Sequence, residues 1–391
     1  MGSGIIKFLV LENKASAILN LTRFAMAAMV VCYHGGLKVI PGYEAVMVFF
    51  VLSGFFISNS IFKSISQNRW SWYIYIVNRV TRLWIVLIPA LFLTLFWAEL
   101  RINFFHDIVR FYGVLDWKVF LGNLLFLQGI SVPSFGLNNP LWSLSYEFWY
   151  YILFPCIVSI FYAPKKSIKM VYLTIVILLS LFLGITVMKY FLIWLLGAII
   201  PLIKPISIKN TLLRGGAFIA SSLFFLVAIN LMYLIYNTND GGIYFIDLTV
   251  GVSFSILVCV ILSLYNTAEP SRQIYSYVEY LAGFSYTLYL THYPLLLFIA
   301  EFLYRGLGIS KGASLLTLVL KPIILIIIFL YAWAISRVTE AKTGIFRKFI
   351  LKGIKPIKNY ESCHIDTINF IKTLCRIRRI KRQKNEVIQC Y

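Results

Sequence analysis

The chain has 391 residues, 60% of them apolar and 13% charged, with a formal net charge of +21. A soluble domain of this length carries roughly 25% charged residues, so the charges are too few to cover a globule and a soluble fold is excluded. The apolar residues form continuous runs rather than an alternating pattern, which argues against a transmembrane barrel and for bilayer-spanning helices.

In chain order the runs predict about ten transmembrane helices, near 16–36, 43–62, 83–100, 141–163, 169–187, 190–204, 214–236, 243–265, 280–303 and 313–337. The expected fold is all-α, a polytopic membrane helix bundle. The stretch 119–130 (VFLGNLLFLQGI) is apolar but too short to span. It is re-entrant, interfacial or an eleventh helix. Arg23 lies inside the first run and no small-residue cleavage pattern follows, so that helix is expected to be a retained signal anchor.

Lysine and arginine set the orientation. With both termini cytoplasmic, the inside segments before the tail hold Lys7, Lys14, Lys63, Arg69, Arg79, Arg82, Lys165, Lys166, Lys169, Lys204, Lys209, Arg214 and Arg272. The outside loops hold only Lys38, Arg101, Arg110, Lys118, Lys189, Arg305 and Lys311. The chain is expected to divide into a transmembrane domain, 1–345, and a basic cytoplasmic tail, 346–391. The dense run 372–384 (KTLCRIRRIKRQK) predicts attachment to anionic lipid headgroups. No folded nucleic-acid reader accompanies it, so nucleic acid is not an expected partner. Cys32, Cys156, Cys259, Cys363, Cys375 and Cys390 form no C-x-x-C pair, and neither a disulfide framework nor a zinc site is expected.

Ionisable residues inside a membrane are costly and mark function by default. Arg23 and His34 are eleven positions apart, and eleven steps of 100° end 20° past three full turns. Both therefore project from one face of the first helix, about 16 Å apart along its axis. A snorkelling arginine and a satisfied core histidine are the bland alternative. Arg79 and Arg82 share a face at the entry to the third span, where they suit phosphate or simply anchor the helix. Glu147 follows Trp142 and Ser143 in the fourth span, and needs a cationic or hydrogen-bonded partner such as Arg23 or His34. His292 is a second intramembrane histidine, beside Tyr289 and Pro294. Two histidines without a carboxylate cluster at ligand spacing predict no metal site.

Together these segments resemble the integral-membrane acyltransferase family 3, the bacterial sugar O-acyltransferases. Arg23 and His34 match its R-x10-H, and Phe49 to Ile57 (FFVLSGFFI, containing Ser53) its second-helix signature. Arg79-x-x-Arg82 matches its R-x-x-R, and Pro140 to Glu147 (PLWSLSYE) its PLWSL-x-x-E. Ser285 to Pro294 (SYTLYLTHYP) matches its late SY-x-x-YL-x-H-x-P, and Tyr190 to Gly197 is a weaker match. The likeness covers roughly 16–345. Two departures stand out: the usual E-x-P-x-R becomes Glu340-Ala-Lys342, and the R-x-x-R lacks a close proline. The esterase-like domain that some members carry after the membrane part is expected to be absent.

The resemblance implies a bacterial inner-membrane enzyme that moves an acyl group, most simply acetyl, from acetyl-CoA or another acyl-CoA to a hydroxyl of a cell-surface polysaccharide. Lipopolysaccharide O-antigen, capsule and exopolysaccharide units, or lipid-linked glycans, are compatible acceptors. On this reading His34 is the general base, Glu147 orients it as in a catalytic triad, and Arg23 binds the donor or holds a carboxylate. Arg79 and Arg82 meet the donor phosphates. Ser53, Trp142, Ser143, Tyr289 and His292 line the substrate site. A glycan or lipid transporter without acyl transfer is the competing class.

Overall fold

The structure is a computed structural model that describes residues 14–206, 210–236, 243–265, 272–309 and 315–352. The run 372–384 lies outside the described residues. Every named element is helical: α1 (Lys14–His34), α2 (Glu44–Ser66), α3 (Trp72–Phe105), α4 (Ile108–Phe111), α5 (Trp117–Leu124), α6 (Leu141–Tyr162), α7 (Lys166–Ile199), α8 (Thr211–Tyr236), α9 (Ile243–Tyr265), α10 (Arg272–Ala282), α11 (Ser285–Glu301), α12 (Leu315–Val338) and α13 (Thr343–Lys352). The protein is a polytopic helical membrane bundle.

Among the described residues, 8 helices are long and apolar enough to cross a membrane. The difference from ten has two local causes. The fifth and sixth expected spans form one run, α7, interrupted where Gly184 takes φ 74° and ψ 171°. That backbone region is open to glycine and closed to residues with a Cβ. Both arms touch α6: Phe182 meets Trp149 before the break, and Trp194 meets Phe154 after it. The ninth expected span is divided into α10 and the 17-residue α11, which continues as a π-helical turn, Phe302–Gly306.

The apolar stretch 119–130 does not span. It forms the eight-residue α5 and a turn pinned by buried polar side chains. Asn123 donates to the Val119 and Pro133 carbonyls and accepts from Phe135 N, while Gln128 donates to the Leu141 carbonyl. Ser145 and Trp149 of α6 donate back to the Gln128 and Phe126 carbonyls. With all of these groups but Gln128 Oε1 satisfied locally, the segment folds as a plug against the start of α6.

The centre of the bundle is α2, which packs on α1, α6, α7 and α9. Its approach to α7 is glycine-controlled. A Cβ on Gly54 would lie 2.1 Å from the Trp194 carbonyl oxygen, and one on Gly197 would lie 1.9 Å from that of Val51. Small residues are what allow membrane helices to meet backbone to backbone. A second layer, α11, lies against α1, α3 and α12. Its buried Leu288, Leu295 and Leu296 close over Ala27, Val31, Ile328 and Ala332. Asn138 ties the loop before α6 to both neighbours, donating to Thr94 Oγ1 of α3 and to the Leu290 carbonyl of α11.

Candidate functional site

The common face of α1 serves two different places. Arg23 lines a cavity of about 100 Å³ together with Ser53, Arg79, Arg82, Glu147 and Tyr151. His34 is not on the wall of that cavity.

The cavity is built from five helices, α1, α2, α3, α6 and α11. Arg79 and Arg82 come from the first turns of α3, whose start is set by Ser71 accepting from Ile74 N. Glu147 and Tyr151 are one turn apart on α6, and the tyrosine hydroxyl donates to the carboxylate. Tyr151 also accepts from Ser53 Oγ at 3.4 Å, and Trp194 Nε1 donates to that serine at 3.1 Å. Glu147 thus has a partner, but not a cationic one. The guanidinium of Arg79 sits 5.4 Å from the centre of the Tyr75 ring. The Nε atoms of Arg23 and Arg79 are buried without an acceptor. Among the described residues, none of Arg23, Arg79 and Arg82 has a carboxylate within 4.0 Å. Glu340, just past α12, accepts from Thr287 N at 3.1 Å and Thr287 Oγ1 at 3.0 Å, and adds a second carboxylate near Arg23 and Arg82.

His34 pairs with His292. Its Nδ1 lies 2.9 Å from His292 Nε2, and the rings stack at 5.2 Å with 17° between planes. The other nitrogen of His292, Nδ1, faces the carbonyl oxygens of Leu288 at 3.0 Å and Tyr289 at 2.9 Å. Carbonyls only accept, so Nδ1 of His292 carries the hydrogen and its Nε2 carries the lone pair. His34 Nδ1 must then donate to that lone pair. This leaves Nε2 of His34 with its own lone pair, the state a general base needs. The expectation that Glu147 orients His34 is corrected here. His292, fully buried on α11, holds the ring. Beyond His34 the chain turns at Gly36 (φ 90°), and Lys321 Nζ donates to the Gly36 carbonyl at 3.4 Å.

Between the cavity and the histidine pair stands a hydrogen-bonded wall. Ser143 Oγ and Tyr289 OH are 2.8 Å apart, and both line the cavity. The far side of Tyr289 faces His292, ring centres 6.2 Å apart, and Phe49 packs edge-on against it at 5.6 Å. Trp142 is on neither surface. It stacks on Tyr43, meets Tyr146 edge-on and lies tilted against Tyr190 in an aromatic group. That group surrounds a buried carboxylate that had not been singled out: Tyr190 donates to Asp247 Oδ2 at 3.1 Å and shares a 2.6 Å hydrogen bond with Tyr43. The signal was available, because Asp247 lies inside the expected span 243–265.

The family model described as an acyltransferase domain matches residues 16–337. The chain belongs to acyltransferase family 3. That match spans every site residue described above except Glu340, and it leaves the transporter alternative without support. An O-acetyltransferase, OatA, of Staphylococcus aureus is 23% identical over 73% of this chain and 51% of its own length. A peptidoglycan O-acetyltransferase, OatA, of Listeria monocytogenes is 29% identical over 36% of this chain and 23% of its own. An uncharacterized protein of Haemophilus influenzae is 30% identical over 35% of this chain and 58% of its own. The chain spans about half the length of the curated relatives it matches. No solved structure matches.

Proposed function

We propose that this acyltransferase takes a small acyl group, acetyl in the simplest case, from acyl-CoA and delivers it to a hydroxyl of a cell-surface polysaccharide. Its place is the bacterial inner membrane, with both termini and the arginine cavity toward the cytoplasm. Peptidoglycan, the acceptor named for the Listeria relative, joins O-antigen, capsule and exopolysaccharide as candidate acceptors. The observation that carries the reading is the pairing, on one face of α1, of an arginine-lined cavity with a histidine pair beyond it. Uncompensated arginines suited to an anionic donor lie at one level, and an imidazole held in its basic tautomer lies at the other.

The chemistry follows from those positions. The donor phosphates meet Arg79 and Arg82, and the thioester enters the cavity toward Ser143 and Tyr289. His34 Nε2 removes the proton of the acceptor hydroxyl. The oxygen attacks the thioester carbonyl, the carbon–sulfur bond breaks, and the thiolate leaves with a proton. His292 keeps His34 in register by accepting from its Nδ1. Because Tyr289 and Ser143 stand between the cavity and the histidine pair, the acyl group passes only when that wall opens or when a side chain carries it across. Arg23, on the donor side, stabilises negative charge on the carbonyl oxygen.

The test uses purified protein in detergent with acetyl-CoA and a glycan acceptor, read as release of free coenzyme A. Release that depends on acceptor is expected, and His34→Ala should reduce it by about 10²–10⁴-fold with membrane insertion intact. Full activity in that variant would overturn the assignment of the base. Mass spectrometry of surface glycans from cells with and without the protein identifies the acceptor.

A further inference from the structure

We infer that Arg347 of α13 is a fourth cation of the arginine site, and that the site takes a ligand bearing at least two phosphate charges, a diphosphate in its simplest form. The inference deepens the donor reading and rests on it for the ligand's role, though not for its chemistry.

The residue lies beyond the matched family domain, which ends at 337. The helix that carries it packs on α3, the helix of Arg79 and Arg82. Arg347 is near enough to both to feel their charge. Ile345 and Phe349, a turn apart on α13, are 64% and 76% exposed. Arg347 lies at 200° from both, in opposite senses along the helix, so it projects from the other face, toward α3. Its Nε is buried without an acceptor, as are those of Arg23 and Arg79.

The charge count then decides the ligand. Arg23, Arg79 and Arg82 line the cavity, Arg347 approaches from α13 against the same helix α3, and the carboxylates of the region are Glu147 and Glu340. Both carboxylates already accept from hydroxyls, of Tyr151 and Thr287. Two positive charges remain uncompensated in a medium where repulsion is strong. A singly charged anion leaves one of them. A ligand with two or more negative charges balances the set, and planar guanidinium forks match phosphate oxygens. Three buried Nε–H groups wait for acceptors, and a diphosphate supplies several.

The probe is inorganic pyrophosphate, titrated calorimetrically into the full chain in neutral detergent. Wild type should bind it at least tenfold more tightly than orthophosphate; equal affinities would overturn the multivalent ligand. Arg347→Ala should weaken binding by about tenfold, the loss of one charge-assisted hydrogen bond. Arg347→Met keeps the aliphatic stem and should show the same loss with unchanged melting, which separates charge from packing. Undiminished binding in Arg347→Met overturns the assignment. Lys348→Ala, at an exposed neighbour, should bind as wild type; an equal loss there would reduce the effect to surface charge and overturn it too. In nanodiscs of phosphatidylcholine, added phosphatidylglycerol should leave binding intact. Displacement by it would give the site to a lipid headgroup instead. Binding without coenzyme A release overturns the acyl-CoA role and leaves this site standing. Coenzyme A release without pyrophosphate binding does the reverse.

Discussion

Two groups of arginines sit at two places in the bundle, and they are treated in opposite ways. Around the end of α3, Arg101, Arg110 and Arg305 share two carboxylates. Asp107 Oδ1 accepts from Arg305 at 2.7 Å, Asp107 Oδ2 from Arg101 at 3.3 Å, and Glu301 from Arg110 at 2.7 Å. This network joins the α3–α4 corner to the end of α11. In the cavity, Arg23, Arg79 and Arg82 have no carboxylate within ion-pairing distance among the described residues. Paired cations fasten helices together. Unpaired ones carry a standing cost that a ligand can relieve. The same type of side chain is a clasp in one region and, on the proposed function, part of the donor site in the other.

The largest effect expected from this contrast is on the clasp. Asp107→Ala strands Arg101, whose side chain is 3% exposed, without its close partner. Breaking such a buried pair costs about 3–5 kcal/mol. Thermal melting in detergent should fall clearly while the KM for the acyl donor in surviving protein stays put. A change in donor KM without a change in melting would erase the distinction between the two regions.

The reciprocal change comes next. Arg79→Ala removes a cation that has no ion-pair partner, so melting should hold or rise. Donor binding should weaken by about ten- to a hundredfold, the loss of one or two hydrogen bonds between charged groups. Donor KM and melting curves of the same preparation check both halves. A large drop in melting with donor KM unchanged would make Arg79 a structural residue.

How much of this contrast was legible beforehand depends on how far apart the partners lie in sequence. The 100° rule placed Arg23 and His34 on one face of α1 because helix geometry is local. It could not show that Arg23 lines a cavity while His34 lies beyond its wall, since that wall includes Ser143 and Tyr289, 146 positions apart. The His34–His292 bond spans 258 positions, and the carboxylate that seemed the natural partner, Glu147, was claimed by Tyr151 one turn away. Arg101, Arg110 and Arg305 read only as loop charges, because their shared acceptor, Asp107, sits in a corner that no periodicity marks. The helical class was plain from apolar run length. The break at Gly184 was not, because its flanks are equally apolar and a positive φ leaves no mark on hydropathy.

The smallest expected effect concerns the wall, and it tests whether the cavity communicates with the histidine pair through it. Tyr289→Phe keeps the ring that packs on Phe49 and faces His292, and deletes only the hydroxyl bonded to Ser143. One neutral hydrogen bond contributes about 0.5–1.5 kcal/mol, so melting should drop slightly. The informative comparison is between reactions. If the hydroxyl bond is what closes the wall, its loss eases opening, and transfer to glycan should be no slower than wild type while acceptor-independent hydrolysis of acetyl-CoA rises a few-fold. If Tyr289 instead touches the acyl group as it passes, both rates should fall together. Coenzyme A release with and without acceptor separates the outcomes, and a parallel fall in both would turn the wall from a gate into part of the reacting surface.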